Sequence, residues 1–148
     1  MNDLIVRLSD IFDGLDVRTA YGEKTFYYNP GGTLPRGTYF CTIKDTDGPN
    51  DKASALNRPG VWRFNFGLPS ARYEALFGPR PARPAKGQTI AGPWPFDTLD
   101  RLMPHPIYGW MGWVAIVSPS AASLDILWPD VEAAYEKAVD GFERRTTR

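Results

Sequence analysis

The sequence predicts an α+β fold: one domain, residues 1–148, in which an antiparallel sheet is covered by an N-terminal and a C-terminal helix. Three observations carry this. Apolar residues at helical spacing cluster at the two ends of the chain. Short runs rich in β-branched and aromatic residues lie between them. Glycine and proline, 14 of each among 148 residues, gather in the connections, which fits a loop-rich sheet domain better than a helix bundle. With 43% hydrophobic and 14% aromatic residues, a chain of this length builds one core without disulfides or metals.

Leu4, Ile5, Leu8, Ile11, Phe12 and Leu15 recur at helical spacing, with Asn2 or Asp3 as cap and Gly14 near the stop. Residues 25–28 and 38–44 read as two strands joined through the turn-forming residues 29–32. Residues 61–66 form a third strand, whose alternation puts Trp62, Phe64 and Phe66 on one face and Arg63 and Asn65 on the other. That polar face is where a site is expected. Residues 70–77 read as a short helix capped by Ser70 and stopped by Gly78 and Pro79. Prolines then keep residues 78–95 extended over the surface, and residues 113–117 form a last strand. Leu127, Val131, Tyr135, Ala138 and Phe142 mark the closing helix, with Pro129 in its first turn.

Lys and Arg number 17, as do Asp and Glu. This balance does not imply a polyanion-binding surface, and it argues against sequence-specific nucleic-acid binding. Basic residues gather only in the Arg80, Arg83, Lys86 loop and the Arg144, Arg145, Arg148 tail. One cysteine, Cys41, and one histidine, His105, exclude a Cys/His zinc site, so no metal is expected. The acidic residues 45–51 lack the glycine and glutamate positions of a calcium loop, and Gly31 and Gly32 lack the pattern of a phosphate loop. No cofactor is expected. Asp3 and Asp10 interrupt any signal-peptide pattern, and the most apolar stretch, residues 110–117, is too short to span a bilayer. A cytoplasmic location without a membrane partner follows; the sequence argues neither for nor against a second copy of the chain.

Residues 103–113 are the richest segment: His105, Tyr108, Trp110 and Trp113 stand among Pro104, Pro106, Gly109 and Gly112. A rigid loop of this kind suits an imidazole and aromatic faces presented to a planar ligand. The expected ligand-binding set is His105, Tyr108, Trp110, Arg63, Lys44, Arg83 and Lys86. These line a cleft between the polar sheet face and the loops 78–95 and 103–110, and the cleft takes a small planar or anionic molecule without catalysis. Against this stands a structural role, in which Trp110 and Trp113 pack the core and His105 bonds a nearby carbonyl. Trp113 is expected to be core. In an enzyme reading His105 is general acid or base, with Tyr108, Arg63 or Lys44 binding an anion. A third reading is a nucleic-acid or protein interaction module built on the basic loop and tail.

The segments 34–44 (LPRGTYFCTIK), 81–87 (PARPAKG) and 105–113 (HPIYGWMGW), in this order, resemble an actinobacterial family of unknown function related to the MmcQ/YjbR-like group of small bacterial proteins. The resemblance implies a compact α+β fold with a helix-covered antiparallel sheet. It brings no catalytic residues to transfer. The wider group carries a DNA-binding label that rests on fold analogy, from which this neutral chain departs.

Overall fold

Alternating residues in the middle of the chain build one six-stranded sheet, and the helices from its two ends close one face. The computed structural model describes residues 1–147, so Arg148 of the basic tail lies outside the described residues. The strands are β1 (Leu15–Ala20), β2 (Glu23–Tyr28), β3 (Thr38–Lys44), β4 (Arg63–Gly67), β5 (Leu102–Pro104) and β6 (Trp113–Val117). They run antiparallel in the order β1-β2-β3-β4-β6-β5. The helices are α1 (Asn2–Ile11), α2 (Ser70–Phe77) and α3 (Ala121–Thr146). The α+β class, with N- and C-terminal helices over an antiparallel sheet, is thus observed.

Phe26, Cys41, Ile43, Phe64, Phe66, Val114 and Ile116 on the sheet meet Leu4, Leu8, Leu127, Val131, Ala134 and Ala138 on the helices. Each large apolar side chain buried here contributes about 1.5–3 kcal/mol before entropy is counted. One irregularity sets the other face. Between β2 and β3 the register shifts, with Phe26 opposite Cys41 but Tyr27 opposite Tyr39. Phe40 is the extra residue of a bulge, so Phe40 and Cys41 both enter the core while Tyr39 turns to the opposite side.

Several sequence expectations shift. The first helix ends at Ile11, before Leu15, because Gly14 adopts φ +75° and turns the chain into β1. Its start has Met1 as cap residue and no side-chain cap from Asn2 or Asp3. Strand β1 had no counterpart in the sequence reading. It joins β2 through Tyr21 and Gly22, both at positive φ, as a two-residue hairpin requires. The third strand spans Arg63–Gly67 instead of residues 61–66. Pro69, and not Ser70, occupies the cap position of α2. Pro129 lies inside α3, which begins earlier because the Ser120 hydroxyl accepts the Ser123 N–H at 3.1 Å and caps it. Residues 78–95 carry neither helix nor strand, as expected.

Candidate functional site

The second sheet face follows from strand pairing. Glu23 stands opposite Lys44, Thr42 opposite Asn65, Lys44 opposite Arg63, and Gly67 opposite Trp113. Directly paired residues share a face, so this one carries Glu23, Thr42, Lys44, Arg63, Asn65 and Trp113, joined by Tyr39 through the bulge. The sequence reading expected an open polar face. Instead Arg63 and Asn65 are wholly buried, and Ser54, Leu56, Ile90 and His105 from the connecting loops are buried with them.

Arg63 is the hub. Its Nη1 and Nη2 donate to the two carboxylate oxygens of Asp51 at 2.9 and 2.6 Å. Nη1 also donates to Ser54 Oγ at 2.9 Å, and Nε donates to Asn65 Oδ1 at 2.7 Å. Asn65 Nδ2 in turn donates to Thr42 Oγ1 at 2.9 Å. Donation therefore runs in one direction, from guanidinium to amide to hydroxyl, which leaves the Thr42 O–H free to donate onward. Burial alone would push the Asp51 carboxyl up. The Arg63 hydrogen bonds and charge, with smaller help from Lys44, more than offset this and hold it below its ordinary range.

His105 is only 2% exposed. Its Nδ1 accepts the backbone N–H groups of Ile107 and Tyr108 at 3.1 and 3.0 Å, a turn that the flanking prolines stiffen; no carbonyl is its partner. Nε2 lies 3.3 Å from Arg63 Nη2. Three N–H groups thus face a ring that offers one lone pair when neutral. Placing the proton on Nε2 preserves both amide bonds and leaves a single donor–donor contact, with Arg63. Burial first, then the charges of Arg63 and Lys44, pushes His105 well below its ordinary value despite the opposing Asp51 carboxylate. The ring is neutral near pH 7.

Beside this network opens a cavity of about 300 Å³ lined by Glu23, Tyr39, Thr42, His105, Tyr108, Met111 and Trp113. Its walls are aromatic. Tyr39 and Trp113 meet edge to face at 6.3 Å between centroids, and Tyr108 lies 5.0 Å from the His105 ring. Trp113, expected in the core, is half-buried in this wall, its indole 3.0 Å from where a Cβ on Gly67 would stand. Glycine in β4 is what lets the indole lie so close to the sheet.

Of the residues singled out from the sequence, His105 and Arg63 meet in the buried network, Lys44 lies near it as a charge, and His105 with Tyr108 reaches the cavity. Lys44 is 7% exposed and, among the described residues, has no hydrogen bond or ion pair. Trp110 and Arg83 lie elsewhere: the Arg83 guanidinium sits 5.0 Å over the Trp110 ring, beside a second, shallower cavity lined by Arg80, Pro81, Trp110 and Met111. Lys86 is exposed and joins neither cavity. Cys41 is buried in the core, where burial pushes its thiol up, and it does not line the cavity that His105 reaches. The sequence reading missed Asp51, Thr42, Tyr39, Met111 and Glu23. Thr42 was within reach: strand period two places it with Lys44 on the polar face.

No curated protein and no solved structure matches the chain. Among the described residues no helix is long and apolar enough to cross a membrane. A family model does match, over residues 1–147, and by that match the chain belongs to a family of unknown function, DUF6194.

Proposed function

We propose that the protein binds, without transforming it, a small planar molecule that presents a hydrogen-bond acceptor to the floor of the cavity between β3, β6 and the 105–113 segment. One observation carries the reading: the floor offers donors. Thr42 contributes the free end of a one-way hydrogen-bond chain, and His105, whose Nε2 faces Arg63 and whose Nδ1 is taken by its own loop, lines the same space without offering it a lone pair. The walls are faces and edges of Tyr39, Tyr108 and Trp113, which suit a flat ring, and Glu23 at the margin can accept from a ligand N–H. Lys44 and Arg63 against Asp51 leave one excess positive charge behind the floor, which favours a carboxylate acceptor over a neutral carbonyl.

Binding is favoured over catalysis by the same geometry. A neutral imidazole whose Nδ1 lone pair is taken by two amides has no basic nitrogen to offer, and its N–H is too weak an acid to protonate a substrate. The kinship with the MmcQ/YjbR-like group belongs to this proposal, supported by the order of the quoted segments.

Titration of ¹⁵N-labelled protein with nicotinate, nicotinamide and benzoate tests the reading. Saturable shifts at the Trp113 indole and the His105 ring are expected, larger for the carboxylates, with affinity about tenfold weaker in Thr42→Val. Shifts scattered over the surface, or none at Trp113, would overturn it.

A further inference from the structure

On the far side of Met111 the protein gathers positive charge without acid. The second cavity, about 460 Å³, is lined by Arg80, Pro81, Trp110 and Met111. The Arg83 guanidinium carbon lies 5.0 Å from the centroid of the half-buried Trp110 ring, a cation–π contact that does not use its N–H donors. Lys137 of α3 lies next to this wall, its half-buried ammonium donating to the Leu68 carbonyl at 2.9 Å. That carbonyl is 3.2 Å, and Arg80 Cδ is 3.9 Å, from the position a Cβ on Gly112 would take, so Lys137 and Arg80 converge on one glycine. None of the ion pairs among the described residues includes Arg80, Arg83 or Lys137. Since the chain carries 17 acidic residues to balance its 17 basic ones, this local excess is a property of the place and not of the composition.

We propose that Arg80, Arg83 and Lys137 form a binding site for a phosphate-type anion on the Trp110 side of Met111. Two guanidinium forks, Arg80 in the cavity wall and Arg83 against Trp110, together with the Lys137 ammonium suit a multiply charged group with several acceptor oxygens, whereas a planar carboxylate would engage one fork. Prolines 79, 81 and 84 hold the arginine loop extended, which lowers the entropy lost when an anion fixes those side chains. Burial and then the charge of Arg80 hold the Lys137 ammonium below its usual range, a cost that an anion between the two would remove. The site stands whatever the first cavity takes. Because Met111 lines both cavities, the anion is either a free ion or the charged substituent of a ring seated in the first.

Inorganic phosphate, titrated at constant ionic strength, tests the site through the Trp110 indole N–H resonance. A saturable shift is expected, with the dissociation constant raised about tenfold or more in Arg80→Gln and in Lys137→Met, and unchanged in a control at the distant, exposed Arg36→Gln. No saturable shift at Trp110 by about 50 mM phosphate, or equal affinity in Arg80→Gln and Arg36→Gln, would overturn the proposal. Phenyl phosphate separates the two sources: tighter binding than phosphate with shifts at both Trp110 and Trp113 makes the anion a ligand substituent, and equal binding with shifts at Trp110 alone makes it a free ion. Failure at Trp113 alone would count against the first cavity and leave this site standing.

Discussion

Arg63 and His105 were both legible as polar residues of interest, but not as partners. Strand alternation put Arg63 on the polar face, while its closest neighbours, Asp51 and His105, come from loops that no periodicity places. Asp51 figured only in an acidic stretch that fails as a calcium loop, because its role depends on a contact made twelve residues later in the chain. Removing the hub should expose its importance. Arg63→Met leaves the part-buried Asp51 carboxylate and the buried Asn65 amide without their partner and should cost about 3–5 kcal/mol in urea unfolding, and Arg63→Lys should rescue little because an ammonium cannot replace a five-donor fork. His105 has a distinct signature. Its folded pKa lies well below the ordinary value of 6.5, so as pH falls through 6.5 the unfolded chain takes up a proton that the folded one refuses. Stability present above pH 6.5 is therefore lost on acidification, at up to about 1.4 kcal/mol per pH unit. Asp51 has the usual sign for a depressed carboxyl, but its loss begins only below about pH 4, so the two windows separate. Asparagine can place an oxygen where Nδ1 sits, so His105→Asn should keep the turn and abolish the slope that sets in as pH falls through 6.5. An unchanged slope would place its origin in another group.

At the scale of elements, regular periodicity was readable and its interruptions were not. The sequence marked β2, β3, β4 and β6, but β1 was swallowed by the helical pattern ending at Leu15, and β5 was masked by Pro104, which an edge strand tolerates. Pro129 was placed at a helix start because its missing N–H is least costly there, yet α3 carries it inside, at an exposed position with Ser120 as its cap. The bulge at Phe40 had no sequence signal, and it decides that Tyr39 belongs to the cavity. The contact between β4 and β6 offers a direct probe. A methyl at Gly67 would stand 3.0 Å from the Trp113 indole, so Gly67→Ala should push the ring into the cavity. We expect a destabilisation of about 1–3 kcal/mol, a shifted tryptophan emission and loss of nicotinate binding, with the rest of the fold kept. Retained binding with unchanged emission would mean that Trp113 does not form the wall.

For the molecule as a whole, the small-ligand proposal, resting on balanced charge and an aromatic cavity, predicts weak binding to nucleic acid. Duplex DNA should bind no tighter than about 10⁻⁴ M at physiological salt and without sequence preference, as fluorescence anisotropy would show; tight selective binding would promote the basic loop to an interaction surface. The α+β class and the helix cover were legible because they rest on local patterns summed over many residues. The cavity was legible only in outline, since its walls come from β2, β3, β6 and the 105–113 segment, brought together by pairing across the sheet. Central to the account is a donor-only floor, and that depends on which nitrogen of His105 carries the proton. The ¹⁵N shifts of the imidazole at pH 7 measure this directly. Protonated Nε2 and unprotonated Nδ1, unchanged as pH falls through 6.5 and with Nε2 moving on addition of nicotinate, are the predicted result. A proton on Nδ1, or a ring that titrates near 6.5, would contradict it.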